Sequence, residues 1–239
     1  MKRTFLSLIL LVSVFAVHAK TLVVYYSYTN NVHNIVTELT KQIDADVVRI
    51  ELAEKGLDYA ANNYAIGSAL ISAIRNSPND AASYPAIDPV NVNLADYDCI
   101  IIGAPLWWSN MAAPLQTYLL HNGAAMAGKK IGLIVSSASS GISGVEGDAK
   151  RLIPEGDFFN PSLWIRSSQT SGATSMISQW LNTIRYDEVA KVENVPADQN
   201  IGKFTIFSVS GAMVAKDALS MKDLEKGVYI VNGKKICIN

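Results

Sequence analysis

The sequence predicts an α/β protein: a doubly wound, five-stranded parallel sheet with a small all-β appendage at the C-terminal end. Three observations carry that expectation. Five short apolar runs alternate with five segments of helical periodicity, the pattern of a parallel sheet covered on both faces. Three of those runs break into polar, glycine-bearing or tryptophan-bearing stretches, which puts loops at the carboxyl ends of strands, where open α/β sheets bind ligands. Beyond residue 200 the periodicity changes from helical to alternating.

At the N-terminus, Lys2 and Arg3 precede a mostly apolar run over residues 5–17, and small residues flank His18. The first 19 residues therefore read as a signal peptide cut before Lys20. The run is short for a membrane span, so no stable span is expected once it is removed. With no Cys near the cut, a lipoprotein is not expected. The expected destination is export, to the periplasm or cell surface of a Gram-negative bacterium. About 220 residues remain, enough for a domain over 20–186, a linker over 187–200 and a β-rich module over 201–239. A net charge of −1 gives no hint of a nucleic-acid partner. Of the two cysteines, Cys99 heads an apolar strand and reads as a small buried hydrophobe; an oxidising compartment would also permit a bridge to Cys237. The three histidines are scattered and no metal-ligand spacing occurs, so no metal is expected.

The first strand, residues 21–26, is rich in β-branched and aromatic side chains. It breaks into Ser27-Tyr28-Thr29-Asn30-Asn31, and Ile35, Leu39 and Ile43 follow at helical spacing. That order aims free helix N–H groups at the loop, where an anion is favoured. An ordinary turn with Ser27 or Thr29 as N-cap is the other reading. Residues 47–52 read as the second strand, and 53–76 as a helix anchored by Tyr59, Tyr64, Ile71 and Ile74. Residues 77–92 hold three prolines and read as a loop. The third strand, 99–103, runs into Gly103-Ala104-Pro105-Leu106-Trp107-Trp108-Ser109-Asn110-Met111. Two adjacent Trp in a loop do not both enter a core easily, so at least one is expected to line a cleft, placed to stack on a planar ligand. Both stapling the loop to the next helix is the alternative. Residues 114–121 begin a helix with Leu115, Leu119 and Leu120 as its apolar face. The fourth strand, 131–135, ends in a run of Ser and Gly from Ser136 to Gly144, and a helix then ends at Pro154. The fifth strand is 162–166, and the last helix, 172–185, carries Met176, Ile177, Trp180, Leu181 and Ile184 as packing residues. Residues 186–200 lack an apolar repeat and read as linker. Strands at 204–209, 228–231 and 234–238 complete the appendage, with turns at Ser210-Gly211 and Asn232-Gly233.

At these loops the chain resembles the flavodoxin family. That family's phosphate loop reads Ser/Thr-x-Thr-Gly-x-Thr. Ser27, Thr29 and Asn31 fall on matching positions, Asn30 stands for the Gly, and Val32, followed by His33, stands for the last Thr. Asn tolerates positive φ, whereas Val32 keeps its N–H but loses a hydroxyl. Asp98-x-Ile100-x-x-Gly103-x-Pro105-x-Trp107-Trp108 is similar to the family segment that holds the isoalloxazine, which implies Pro105, Leu106, Trp107 and Trp108 as flavin-side residues. Ser137, Ala138, Ser139, Ser140 and Gly141 match its third flavin loop. The resemblance covers residues 21–185 and implies strand order 2-1-3-4-5 and FMN as cofactor. It also implies electron transfer or small flavin-dependent reduction, with a redox protein or small electron acceptor as partner. No general acid or nucleophile stands out, and no Gly-x-Ser-x-Gly elbow or His–acid pair supports a hydrolase. A non-enzymatic scaffold that has lost flavin remains the competing class, suggested by Asn30, Val32 and export. The C-terminal part resembles β-modules of exported Bacteroidetes proteins, including sorting domains of type IX secretion; a β-extension of the main domain is equally open.

Overall fold

Side-chain alternation decides how the sheet is buried. In the computed structural model, which describes residues 19–190, 193–194, 204–218, 224–231 and 234–238, strand β1 (Thr21–Tyr25) is buried along its whole length. Leu22 and Val24 enter one apolar cluster, Val23 and Tyr25 another. Both faces are therefore covered, as a parallel sheet requires. Parallel pairing runs from β2 (Asp46–Arg49) through β1 to β3 (Cys99–Trp107). β3 folds back antiparallel on β4 (Asn110–Met111) and pairs in parallel with β5 (Lys130–Ser137). At the far edge β6 (Asp157–Phe158) and β7 (Leu163–Arg166) both pair with β5. This is the expected order 2-1-3-4-5, with the fifth strand split in two.

Helix α1 (Asn31–Leu39) and, later in the chain, Ala173–Thr183 cover the face bearing Val23. The opposite face is covered by Ala113–Asn122 and Ser143–Leu152. In chain order α2 is Ala61–Asn76, and these three are α3, α4 and α5 as Ala113–Asn122, Ser143–Leu152 and Ala173–Thr183. Each fully buried Leu, Ile or Val there contributes about 1.5–3 kcal/mol. Cys99 is buried in the α1/α5 cluster, as its apolar run implied. No helix among the described residues is long and apolar enough to cross a membrane.

Four expectations change. The helix expected over 53–76 starts only at Ala61. Gly56 at φ 77° bends the preceding segment, and the Asp58 carboxylate accepts the amides of Ala60 (2.9 Å) and Ala61 (3.2 Å). Asn62, Asn63 and Tyr64 then form a left-handed turn, with φ of 50°, 55° and 61°, before regular helix resumes. Tyr64 is consequently no core anchor: it is 49% exposed. The two-Trp segment is not a loop but the tip of a β-hairpin. The linker does not begin at residue 187, because α6 (Tyr186–Ala190) extends the first unit and buries Tyr186, whose hydroxyl lies 2.7 Å from Thr21 Oγ1.

The chain divides into two compact units, Ala19–Ala190 and a second within Lys191–Asn239. The second is a small sheet in which β9 (Phe204–Ser208), β11 (Gly227–Val231) and β12 (Lys234–Ile238) match expected strands. Two further strands, β8 (Glu193–Asn194) and β10 (Met213–Ala218), give the order β10-β9-β11-β12-β8. Pairing is antiparallel except between β12 and β8. β10 was unreadable because it does not alternate: Met213 and Val214 are adjacent and both exposed, and its register shifts twice. Gly211 at φ 82° makes the expected turn. All but Ala19 of the expected signal peptide, most of the expected linker, the expected Asn232-Gly233 turn and the Cys237 side chain lie outside the described residues.

Candidate functional site

The carboxyl ends of β1, β3, β5 and β7 converge on one cavity of about 420 Å3, within the roughly 300–1,000 Å3 typical of small-molecule sites. Its walls come from Ser27–Thr29, Asn31 and Val32 after β1, from Pro105–Trp108 at the end of β3, from Ser136–Ala138 at the end of β5 and from Ser167 after β7. Tyr59, Tyr64 and Gly67 close the remaining side.

At one end lies the first turn of α1. Asn30 is its N-cap and sits at φ 61°, the left-handed conformation that its family counterpart Gly would adopt and that Asn tolerates. The first helix amides have no intrahelical acceptor. Ser27 Oγ accepts that of His33 at 3.2 Å, although the N-cap position itself is held by Asn30. The amides of Asn31 and Val32 make no hydrogen bond among the described residues, and the turn carries no acidic side chain. Thr29 and the Asn31 side-chain amide, bonded at 3.1 Å, stand beside them. This end suits an anion. Val32 lines the cavity yet is 1% exposed, because it also packs in the α1/α5 cluster. His33 does not reach the cavity: its Nδ1 lies 2.7 Å from the Tyr25 hydroxyl. Asn30 likewise contributes backbone geometry rather than wall.

The other end is aromatic. Trp107 pairs across the hairpin with Asn110, leaving Trp108 (φ 46°) and Ser109 (φ 65°) as a two-residue turn. Positive φ at both central residues is the type I′ geometry that normally selects Asn-Gly. Trp and Ser there cost about 1–3 kcal/mol each and persist only where the surroundings over-determine them. Here three contacts do so. Arg75 of α2 donates Nε to Asn110 Oδ1 at 2.8 Å and its NH2 group to the Trp108 carbonyl. Asp148 of α4 accepts the Met111 amide and Asn110 Nδ2, each at 2.9 Å. The Ser109 carbonyl rests against Gly144 of α4, so closely that a Cβ there would sit 1.8 Å from the oxygen. The turn is thereby held with the Trp108 ring over Gly67, where a Cβ would come within 2.8 Å of it. Trp108 stays 40% exposed and meets Tyr64 edge-on. Trp107 is more enclosed, edge to Tyr26 and tilted on Tyr59 at 5.1 Å between centroids. Both Trp line the cavity while also tying the segment to its neighbours: Trp108 packs on Gly67 of α2, and Trp107 joins Ile71 and Ile74 of α2 and Ala113 of α3.

The serine loop contributes less than expected. Ser137 Oγ donates to the Ser140 carbonyl at 2.8 Å and accepts from Trp164 Nε1 at 2.8 Å, so its hydroxyl is committed within the fold. Ser137 and Ala138 line the cavity; Ser139, Ser140 and Gly141 are exposed and lie outside its wall. Ser136 and Ser167 join the wall without having been expected there, as do Gly67 and the two tyrosines read only as helix anchors, Tyr59 and Tyr64. Burial pushes the phenols of Tyr26 and Tyr59 above their ordinary range, so both rings stay neutral at physiological pH.

The fold is similar to that of several solved proteins. A Bacteroides eggerthii protein assigned as a flavoprotein aligns with a TM-score of 0.55 at 23% identity, over 70% of this chain and 98% of that one. Another so assigned, from Bacteroides uniformis, gives 0.53 at 24% identity, over 67% and 99%. A Lactobacillus acidophilus flavoprotein, crystallised in complex with FMN, gives 0.51 at 20% identity, over 66% and 99%. The family model described as Flavodoxin matches residues 20–184, well over half of the sequence. The chain belongs to the flavodoxin family.

Proposed function

We propose that this protein binds FMN in the cavity above β1, β3 and β5 and acts in electron transfer or in the reduction of a small electron acceptor. The carrying observation is the polarity of that cavity: unpaired helix amides at one end and tryptophan rings at the other. The amides of Asn31 and Val32 with the Thr29 hydroxyl would hold the phosphate, and Trp107, Trp108, Leu106 and Pro105 would flank the ring system. The small residues Ser137 and Ala138 would let backbone groups approach its polar edge. Bound FMN supplies one- or two-electron redox chemistry; the chain supplies orientation, partial exclusion of water and local dipoles. The solved flavoprotein in complex with FMN supports the reading by its shared fold.

Titrating the purified protein with FMN tests it, by flavin fluorescence and visible absorbance. Saturable quenching at micromolar protein or tighter is expected, and tightening of about fivefold when Asn30→Gly and Val32→Thr restore the phosphate-loop motif. Failure to bind FMN, riboflavin or FAD would leave the scaffold reading instead. Wild-type binding untouched by the double substitution would move the phosphate elsewhere.

The proposal includes export. Lys2, Arg3 and the apolar run up to Val17 support it. Intact-mass measurement of the protein from its native cells is expected to show a chain beginning at Lys20; an intact Met1 terminus would overturn this part.

A further inference from the structure

The wall of the cavity above β1, β3 and β5 carries no charged side chain among the described residues. An anion held there depends on hydrogen-bond donors and on the direction in which they point. A backbone amide points only where its loop is held. What fixes the chain between Ser27 and Val32 therefore decides how well the anion end works.

One brace on that stretch comes from another strand. Arg49 closes β2 and is the register partner of Tyr25. Its Nη2 donates to the Ser27 carbonyl at 3.0 Å, and its Nε pairs with Glu51 Oε1 at 2.7 Å. No other hydrogen bond reaches that carbonyl among the described residues. Ser27 is 3% exposed, so water is a poor substitute donor there. The hydroxyl of the same residue accepts the His33 amide in the first turn of α1. Arg49 thus holds the residue from which both the loop and the start of the helix are fixed. Glu51 sets the plane of the guanidinium fork. Arg49 itself is not on the cavity wall.

We propose that Arg49 is a positioning residue for the phosphate group: by holding the Ser27 carbonyl it keeps the amides of Asn31 and Val32 aimed into the cavity. It thereby sets a preference for a flavin that bears a phosphate over one that lacks it. This preference rests on the FMN reading. Arg49 acts through direction rather than charge, because Glu51 at 2.7 Å offsets its field at the cavity. The aromatic end is held by other residues, Arg75, Gly144 and Asp148, and is independent of this brace.

FMN and riboflavin titrated in parallel into the parent, Arg49→Met and Arg49→Lys test the proposal. Arg49 is exposed on an edge strand, so both variants are expected to fold. Arg49→Met is expected to weaken FMN about tenfold, the loss of one charge-assisted hydrogen bond, and to leave riboflavin within about twofold. Arg49→Lys keeps a donor without the fork and is expected to fall between the two. The loss in the Met variant is expected to persist in about 0.5 M NaCl, where a distant charge is screened. NMR of that variant without ligand is expected to move the amides of Asn31 and Val32 and to leave that of Trp108 in place. Equal weakening of both flavins, a loss abolished by salt, or unmoved amides at Asn31 and Val32 would each overturn the proposal. A parent that binds no FMN removes the FMN reading and this preference together. A parent that binds FMN, with no FMN-specific loss in the Met variant, removes the role of Arg49 alone.

Discussion

Gly144→Ala is expected to lower the melting temperature of the protein by roughly 5–10 °C, from an overpacking cost of about 2–3 kcal/mol. A Cβ on residue 144 would stand 1.8 Å from the Ser109 carbonyl oxygen and 3.0 Å from its carbon. The atom in the way is backbone, in a turn whose two residues already hold positive φ. It cannot rotate aside as a flexible side chain would, so α4 or the hairpin tip must shift. Either movement lifts Trp108 from Gly67 and opens the aromatic end of the cavity. FMN affinity, on the proposed reading, falls with stability, by about tenfold for each 1.4 kcal/mol lost at the ring. Gly147→Ala is the control, three residues along α4 with nothing within 4 Å of its added Cβ. Ala is the better helix former, so that variant should gain up to about 1 kcal/mol. Thermal unfolding of both variants checks the contrast. If Gly144→Ala melts within a degree of the parent, the contact between α4 and the hairpin tip does not constrain the turn.

The parts of this molecule that follow from local period were legible in the sequence. The runs at 21–26 and 99–103 alternate between two apolar clusters, and the helix after Asn30 has a clear apolar face. Asn30 itself was readable, because the conformation demanded by the loop motif is one that Asn adopts. The two-Trp tip was not. Type I′ turns announce themselves by Asn-Gly, and here Trp108-Ser109 is forced into that shape by Arg75, Gly144 and Asp148, which are distant in sequence. Tyr59 and Tyr64 were missed for a related reason. Their spacing with Ile71 and Ile74 fits a helix, and only the Asp58 cap and the left-handed turn at residues 62–64 break that register. A capping Asp followed by two adjacent Asn was the available signal. Ser137 shows the opposite error. The resemblance placed it at the flavin, while its hydroxyl is engaged by Trp164 from the neighbouring strand β7.

Asp148→Ala is expected to destabilise the protein by about 3 kcal/mol, because it removes a buried acceptor and leaves the donors in place. Asp148 is 8% exposed and takes the amide of Met111 and the side chain of Asn110 on one oxygen, and Arg151 at 3.2 Å on the other. Arg151 tolerates the loss best, since it also donates to Gln116 Oε1 at 2.8 Å and to the Tyr84 hydroxyl at 3.1 Å. Met111 has no such recourse: it is fully buried at the foot of the hairpin, and its amide faces the vacated space. Asn110 keeps Arg75, so the tip stays attached to α2 while its tie to α4 is cut. The two strained turn residues then lose one of the contacts that hold them, and Trp108 is the side chain whose position depends on it. Asp148→Asn separates the two contributions. Its carbonyl oxygen can still accept the Met111 amide, whereas its NH2 group turns a donor toward donors, so a loss of about 1–2 kcal/mol is expected. Urea midpoints at constant m-value measure both. The order expected is parent, then Asn, then Ala, with FMN affinity falling in the same order. An Ala variant as stable as Asn would mean that the Met111 amide finds water, and an Ala variant as stable as the parent would remove Asp148 from the support of the site altogether.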